Sequence, residues 1–292
     1  MTDQDWLATR FEEQRPHLRA VAYRMLGSLS EADDAVQEAW IRLSRTDTSA
    51  VENLGGWLTT VVARVALNML RSRSTRREQP LDVHVPDPIV DPVAGTNPEH
   101  EALLADSVGL AMLVVLETLP PPERLAFVLH DMFAVPFSEI GAILERSPDA
   151  ARQLASRGRR RVRGTVPVPD ADLTAQWEVV EAFHAAARDG DFERLVALLD
   201  PNVVLRADGG LTGLSSRIQG AETVAGQALM FARIDLTMRR ARINGAAGAV
   251  ALLDGRPFSV GAFTIRNGRI VEIDILADPE RLAALDLTIL DE

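Results

Sequence analysis

The strongest signal for chemistry in the sequence is a cluster of arginines in one segment. Between Arg152 and Arg163 there are six arginines and no acidic residue. A guanidinium can bridge two acceptors of one guanine, the amide of Gln153 can address adenine, and Arg159 and Arg161 can bind phosphates. The segment therefore predicts contact with DNA; the alternative interpretation is a helical hairpin with a solvated basic face.

The residues around this cluster predict how it is positioned. Ser138 can cap a short helix of about 138–145, Glu145-Arg146 predicts a tight turn, and Ser147-Pro148 predicts a second helix over about 148–163. A brace helix, a tight corner and a second helix with polar N-terminal residues make a helix-turn-helix. The side chains expected to face DNA are Ser147, Asp149, Arg152, Gln153, Ser156, Arg157 and Arg160.

A second polar face is expected near the N-terminus. Pro16 predicts a new helix start, Gly27 the end of that helix, and Ser30 with Asp33 a capping box for a helix of about 31–45. An apolar stripe on this helix predicts one buried side. The opposite side would repel DNA and fits a basic or coiled-coil protein partner, although taken alone such a face is more often simply a solvated acidic surface. It consists of Asp33, Asp34, Gln37 and Glu38.

The long helix predicted over about 56–77 carries a polar row followed by a basic end. The row could lie along DNA phosphates, or it could belong to a surface helix whose basic end is favoured by the helix dipole. It consists of Arg64, Asn68 and Arg71, and the basic end of Arg73, Arg76 and Arg77.

Composition limits the classes of protein to consider. The chain has 292 residues and a net charge of −11, which argues against coating nucleic acid by bulk electrostatics. It has no cysteine, and its five histidines lack metal-ligand spacing, so we expect neither a metal site nor a cofactor. No segment is apolar enough for a membrane span and no signal peptide is evident, which predicts a cytoplasmic protein.

The chain is expected to be multidomain, with two all-α domains and an α+β domain. Five prolines mark a first linker, and Pro167 and Pro169 mark a second. Further helices are predicted over about 100–118, 122–133, 174–188 and 192–199. The predicted parts are 1–77, the linker 78–98, the helical domain 99–164, the linker 165–173 and the α+β domain 174–292.

The last part of the chain changes from helical to strand-like patterns. Asn267-Gly268 between two alternating runs predicts a two-residue hairpin. We therefore expect a curved antiparallel sheet. The predicted strands are 203–207, 235–243, 249–253, 259–266 and 269–276.

Residues 5–163 resemble extracytoplasmic-function sigma factors. Leu26-Gly-Ser-Leu-Ser-Glu-Ala-Asp-Asp-Ala-Val-Gln-Glu-Ala-Trp and Gly56-Trp-Leu-Thr-Thr-Val-Val-Ala-Arg-Val-Ala-Leu-Asn-Met-Leu-Arg are similar to sigma region 2. Leu119-Pro-Pro-Pro-Glu-Arg-Leu and the helix-turn-helix are similar to region 4. The resemblance implies a protein that binds core RNA polymerase through the acidic face. It also implies that the polar row and the loop 49–53 engage the minus-ten element, and that helix 148–160 reads the minus-35 element of promoter DNA.

The C-terminal part resembles the SnoaL-like, cone-shaped fold that a subgroup of these sigma factors carries. Asp208, Gly209 and Gly210 resemble that group's glycine-rich motif. Asp278-Pro-Glu-Arg-Leu resembles its Asn-Pro-Asp-Lys-Leu motif, with Ala277 in place of the asparagine, and Val166-Pro-Val-Pro-Asp replaces the usual Leu-Pro-Glu-Pro run. Because a very short linker gives the tail a high effective concentration at the sigma domains, and because it carries this motif and lacks a tyrosine, we expect it to regulate the sigma domains in cis. The residues assigned to this role are Asp208, Gly209, Gly210, Asp278, Pro279, Arg281 and Leu282.

Two alternatives remain open at this point. A stand-alone helix-turn-helix regulator would need a dimer and a palindromic operator. Alternatively, the tail of a sigma factor could bind or convert a small molecule, with Asp208 or Asp235 as a base. We expect no enzyme, because the only tyrosine, Tyr23, lies outside the tail, and His184 is expected to pack in the core.

Overall fold

The computed structural model describes residues 3–46, 51, 53–76, 83–93, 100, 103, 109–167, 169–209 and 215–287. Gly210 and most of the loop 49–53 lie outside the described residues. The chain divides into two compact units. The first is Met1–Pro80, Pro98–Asp106 and Met112–Thr165; the second is Leu81–Asn97, Ser107–Ala111 and Val166–Glu292.

The first unit begins with three mutually packed helices. They are α1 (Asp3–Leu26), α2 (Leu29–Leu43) and α3 (Leu54–Arg76). The apolar stripe of α2 is buried as expected. Leu18 of α1 and Leu58 of α3 are also fully buried, so the three helices enclose one core.

Two details of these helices correct the sequence prediction. Pro16 lies inside α1 and does not begin a helix, because Phe11 and Leu18 on either side of it are both buried by one continuous packed face. The cap of α2 is Ser28, whose Oγ lies 3.5 Å from the backbone nitrogen of Glu31, and not Ser30. Gly27 does end α1, at a φ of 70° that a glycine adopts without strain.

The rest of the first unit is also helical. It contains the part of α4 (Leu110–Glu117) from Met112 onward, then α5 (Pro121–Phe127), a π-helical turn (Val128–Met132), α6 (Phe137–Leu144) and α7 (Pro148–Thr165). The single helix expected over 122–133 is thus α5 continued by a wider turn. Gly158 permits the close packing of α7 on α5, because a Cβ there would lie 3.0 Å from the Cβ of Phe127.

The second unit is an α+β domain, as expected. Its helices are α8 (Leu173–Asp189), α9 (Phe192–Leu198), α10 (Ala221–Phe231) and α11 (Pro279–Ala283). Its strands are β1 (Val90–Asp91), β2 (Leu199–Asp208), β3 (Ser216–Gln219), β4 (Thr237–Ile243), β5 (Ala246–Leu253), β6 (Arg256–Arg266) and β7 (Arg269–Leu276).

Among the described residues, seven strands form one sheet in the order β1-β4-β5-β6-β7-β2-β3. The sheet is mixed, because β2 pairs with β7 in parallel, so the expectation of an antiparallel sheet was wrong. The long connection from β2 to β7 through β3–β6 makes this parallel pairing sterically accessible. The short strand β3 and helix α10 were not predicted from the sequence.

One face of this sheet is covered by helices. Trp177 and Phe183 of α8 pack with Phe263 of β6 and Ile273 of β7 in a buried apolar cluster. The opposite side of β2 and β7 carries polar residues instead. The polar residues on this side of β2 and β7 include Arg206, Asp208, Glu272 and Asp274.

Candidate nucleic-acid interface

The helix-turn-helix is formed by α6, a tight turn and α7. Glu145 ends α6 in the left-handed conformation, with a φ of 56°, and Ser147 caps α7 by accepting the backbone N–H of Ala150 at 3.2 Å. A Cβ at Gly141 would lie 2.8 Å from the carbonyl oxygen of Arg146, so the turn requires glycine there. The start of α6 differs from the prediction, because Pro136 and not Ser138 precedes its first residue.

The second helix presents its predicted face to solvent. Ala151 and Ala155 are fully buried, and Leu154 is half-buried, which fixes the rotation of α7 about its axis. The opposite face of α7 is exposed to solvent. Its exposed residues are Ser147, Asp149, Arg152, Gln153, Ser156, Arg157 and Arg160.

The arginines of α7 fall into two groups. Arg159 donates from Nε to Asp131 at 2.6 Å, and Arg161 pairs with Glu123 at 3.0 Å, so these two tie α7 to the π-helical turn and to α5. Arg157 and Arg160 are exposed and have no ion-pair partner among the described residues; with Arg161 they line a surface cavity of about 320 Å³. Arg157 and Arg160 are therefore better placed than Arg159 and Arg161 to bind phosphate.

The polar row of α3 is exposed along its length. Arg64, Asn68 and Arg71 all lie at the surface. Arg64 donates from Nη2 to the carbonyl oxygen of Ala142 in α6 at 3.3 Å. DNA lying along the whole row would have to displace α6.

Arg73 in the basic end of α3 has an intramolecular role. It donates from Nε to Glu31 at 3.0 Å and from Nη1 to the carbonyl oxygen of Leu26 at 3.0 Å. Arg73 thereby links α3 to α1 and α2. This side chain is bound within the helical core and is not displayed for phosphates.

The acidic face of α2 is present, but its members differ in their partners. Asp33 accepts a bidentate contact from Arg19, at 2.7 and 3.1 Å, and Glu38 accepts Nε of Arg42 at 2.9 Å. Asp34 and Gln37 are exposed and make no side-chain hydrogen bond within the described part of the chain. Asp34 is thus the carboxylate most available to a partner.

The first three helices and α5 share a buried contact. Arg124 of α5 donates from Nε and Nη2 to the carbonyl oxygen of Arg24, at 3.4 and 3.3 Å, and burial lowers the pKa of Arg124 to about 10. Arg24 is itself buried, with its guanidinium 4.6 Å from the ring centroid of Phe133. The two helical parts therefore form one unit in this structure.

In the second unit, the Pro-rich segment 83–93 packs on the sheet. We call residues 83–93 the strap. Val85, Ile89 and Val90 are buried, and β1 in the strap pairs with β4. Backbone hydrogen bonds also hold the strap in place, since Val85 donates its N–H to Asp208 at 3.0 Å. The N–H of Ile89 is bound by Asn244 Oδ1 at 3.0 Å, and its carbonyl by the Asn244 N–H at 2.9 Å.

Arg281 joins the strap to both sequence motifs of the C-terminal domain. Its Nε lies 2.8 Å from Asp87, its Nη2 lies 2.5 Å from the carbonyl oxygen of Val85, and its Nη1 lies 2.7 Å from Asp208. His84 lies 3.3 Å from Asp208. Asp208 is therefore buried and held by the Arg281 guanidinium and the backbone of Val85.

The remaining motif residues support this cluster. Asp278 caps α11 by accepting the N–H groups of Glu280 and Arg281, at 2.9 and 3.1 Å, and Pro279 occupies the first turn. Leu282 is buried, which anchors α11 to the domain. Gly209 donates its N–H to Ser215 at 3.3 Å. The motif thus orients Arg281 toward the strap.

A second polar cluster lies beside the first on β2 and β7. Arg206 donates to Asp274 at 2.9 Å and to Glu272 at 3.1 Å. Burial raises the pKa of Asp274 to about 6. Burial alone would lower the pKa of Arg206, but the two carboxylates raise it overall. Both acids are occupied by Arg206, which leaves them poorly suited to act as catalytic bases.

The other candidate catalytic groups do not form a site. His184 stacks edge-on against Phe183 and Phe263, and burial lowers its pKa to about 4. Asp235 is exposed. Within the described ranges, no group of three or more acidic or histidine side chains could hold a metal ion. No described helix is long and apolar enough to cross a membrane.

These features define a helical transcription protein with a helix-turn-helix and an appended α+β domain. The model for Sigma-70 region 2 matches residues 10–76, and that for Sigma-70 region 4 matches residues 110–162. The chain is 35% identical to the ECF RNA polymerase sigma factor SigJ of Mycobacterium tuberculosis over 96% of this chain and 94% of SigJ. It is 32% identical to the probable ECF RNA polymerase sigma factor SigI of the same organism, over 98% of both chains.

The fold agrees with that of SigJ. A crystal structure of M. tuberculosis SigJ matches 96% of this chain and 99% of that chain, with a TM-score of 0.76 and 33% identity. The chain belongs to the ECF RNA polymerase sigma factors. The expected fold class, with two sigma helical domains and a C-terminal α+β domain, is confirmed.

Several residues of the candidate sites were not identified from the sequence. Asp87 and His84 were part of an acidic, Pro-rich linker with no sign of a partner. Asn244 gave no functional signal either, and Arg124 and Phe137 lie in recognised motifs but were given no role of their own. The contacts of Asp87, His84, Asn244 and Arg124 join distant segments, and a single sequence contains no pattern that reports such pairs.

Proposed function

We propose that this chain is a transcription initiation factor that binds core RNA polymerase through α2 and directs it to two promoter elements. The exposed N-terminal face of α7 would read the minus-35 element, and the polar row of α3 would engage the minus-ten element. The single observation that supports this best is the exposed helix-turn-helix face in a chain of this family. We expect it to act in the cytoplasm, without catalysis by the tail.

We further propose that the C-terminal domain regulates the sigma domains by holding the strap. By their names the two promoter elements lie about 25 base pairs apart, on the order of 85 Å of B-DNA. In the structure, Arg64 of α3 touches α6, so the two readers are far closer than that. The linker between the first three helices and the helix-turn-helix must extend to separate α3 from α7. Packing of the strap on the sheet removes 11 residues from the free length of this linker, and each residue could span about 3.3–3.6 Å.

This arrangement implies a restraint. The contacts of Arg281 favour a conformer in which part of the linker is immobilised, and polymerase and promoter would favour its release. The equilibrium between the held and the released conformer shifts by the difference in their contact free energies. Weakening the Arg281 contacts is therefore expected to raise promoter output when the factor is limiting.

Selection from a randomised duplex library tests the function. With core polymerase, the full chain is expected to enrich sequences with two separated elements, and to enrich far less without polymerase. Enrichment of a palindrome by the chain alone would favour the second candidate, a stand-alone helix-turn-helix regulator.

A further inference from the structure

The ring of Phe137 lies between the framework of the helix-turn-helix and one of its exposed arginines. Phe137 is the first residue of α6 and is half-buried. It stacks on the imidazole of His130, with ring centroids 3.8 Å apart and planes inclined by 28°. The guanidinium carbon of Arg152 lies over the same ring, 5.3 Å from its centroid. The three side chains form one continuous stack from the π-helical turn to the exposed face of α7.

The inner end of this stack is fixed by the backbone. Nδ1 of His130 lies 3.1 Å from the carbonyl oxygen of Val135. The N–H of Val135 in turn donates to the carbonyl oxygen of Leu129 at 2.9 Å. Pro136, with φ of −63°, then sets the direction in which the chain enters α6. The position of the Phe137 ring is therefore determined by the preceding turn as well as by α6.

The outer end of the stack is held on a second side. Nη1 of Arg152 donates to Asp149 at 2.6 Å, so a carboxylate and an aromatic face both restrict a side chain that is otherwise exposed. An exposed ion pair of this kind is weak by itself. A guanidinium over an aromatic ring gains a further attraction, and arginine stacks well because its charged group is planar.

We propose that Phe137 is a positioning residue for base recognition by Arg152. Because Nη1 is bound by Asp149 and the guanidinium lies over the ring, Nε and Nη2 remain for the two acceptors on one guanine edge. Ordering the side chain before DNA arrives reduces the conformational entropy lost on binding. This inference rests on the proposed role of α7 in reading the upstream element, and it extends the specificity determinant from α7 to α6.

A purely structural role for Phe137 makes a different prediction. Ile140, Ile143 and Leu144 already provide the buried face of α6. Phe137→Leu keeps an apolar side chain at the start of α6 but removes the aromatic face. Phe137→Tyr keeps the face. Ile143→Val removes one methylene from the same helix without touching the stack, and it serves as the packing control.

The test uses the full chain with core polymerase and a library in which the upstream element is randomised. The preference for each base at each position is measured for the wild type, Arg152→Ala, Phe137→Leu, Phe137→Tyr, Ile143→Val and the Arg152→Ala/Phe137→Leu double variant. We expect Phe137→Leu to reduce discrimination by about two- to fivefold at the one position that Arg152→Ala affects. Phe137→Tyr and Ile143→Val should both keep the wild-type discrimination at that position. The double variant should match Arg152→Ala. The salt dependence should not change, because the variant retains every phosphate-binding arginine.

The outcomes separate this inference from the proposed function. If Arg152→Ala loses discrimination at one position and Phe137→Leu loses none there, or weakens all sequences equally, the positioning role is wrong and the reading helix stands. If Arg152→Ala itself shows no positional effect, both assignments are wrong. Additive losses in the double variant would also contradict the inference, because two residues acting through one contact cannot be independent.

Discussion

Arg281 and Asp87 lie 194 residues apart in the sequence, and the Nε of Arg281 donates to the Asp87 carboxylate at 2.8 Å. This ion pair joins the last helix of the C-terminal domain to the strap that follows the first sigma region. Asp208 accepts from the same guanidinium at 2.7 Å and also from the backbone of Val85. One arginine therefore connects the linker with both motifs of the domain.

Replacing Arg281 should loosen the strap while the domain stays folded. Arg281→Ala removes charge-assisted hydrogen bonds to Asp87, Asp208 and the carbonyl oxygen of Val85, each of which contributes about 1.5–3 kcal/mol. Hydrogen exchange at the amides of Val85 and Ile89 should accelerate by about one order of magnitude or more.

Arg269→Ala is the matched control for this variant, because Arg269 is an exposed arginine at the start of β7. In Arg269→Ala, the protection of the strap amides from hydrogen exchange should equal that in the wild type. Unchanged protection in Arg281→Ala would mean that β1 pairing and burial of Val85 hold the strap without the arginine.

The arginines of α7 are expected to separate into two functional groups. Arg157→Ala and Arg160→Ala should weaken binding to all DNA sequences and reduce the salt slope by about 0.9 for each phosphate that is no longer bound. Arg159→Ala and Arg161→Ala should instead lower the free energy of unfolding, because their partners on other helices lose a cation. Salt-dependent binding and chemical denaturation of the four variants measure both effects. Equal salt slopes for all four variants would contradict the division into phosphate-binding and structural arginines.

Reversing charge on α2 should prevent association with polymerase. Asp34→Lys/Glu38→Lys changes two residues on the exposed side of α2, so the packing of the core is preserved. Recovery of core polymerase by the tagged full chain should fall below about one tenth of the wild-type level. Glu12→Lys/Glu13→Lys introduces the same charge change on exposed positions of α1 and should retain binding. Full recovery with the α2 variant would exclude this face from the interface.

The stability of the C-terminal domain should depend on pH through His184. Its folded pKa of about 4 lies below the unfolded value of 6.5, so the unfolded chain binds more protons in this range. The contribution of His184 to stability is therefore lost as pH falls from 6.5 toward 4, by about 2 kcal/mol at pH 5. Asp274 has the opposite effect near pH 6, because its folded pKa is raised.

The comparison of His184→Gln with the wild type isolates this effect. The variant should lose less stability between pH 7 and pH 5 in urea denaturation, whereas Glu178→Gln, an exposed change on the same helix, should follow the wild type. If His184→Gln and the wild type had parallel pH profiles, the imidazole would not be kept neutral by burial.

The local signals of the sequence were largely sufficient for the helix-turn-helix. Ser147-Pro148 began α7 where expected, and the exposed face of α7 followed from its apolar positions. The Asn267-Gly268 turn was also found, with φ of 54° and 70°. These features depend on residues close together in the chain, where capping and turn chemistry decide the conformation.

The errors arose where distant contacts override local preference. Pro16 has the local features of a helix start, but the packing of Phe11 and Leu18 on one face keeps α1 continuous through it. The parallel pairing of β2 with β7 joins segments about 70 residues apart. The strap was expected only as a linker, because its fixed conformation depends on Asn244, Asp208 and Arg281, which lie far from it in the sequence.

Run-off transcription with core polymerase tests the central claim most directly. The promoter is the two-element sequence that the full chain selects. The wild type, Arg281→Ala, Arg269→Ala and the 1–168 fragment are compared at a limiting concentration of the factor. We predict a promoter-specific transcript that requires the chain, and a larger yield with Arg281→Ala than with the wild type or Arg269→Ala. A wild-type chain that gives no promoter-specific transcript would contradict the initiation function, and equal yields from Arg281→Ala and the wild type would contradict regulation through the strap.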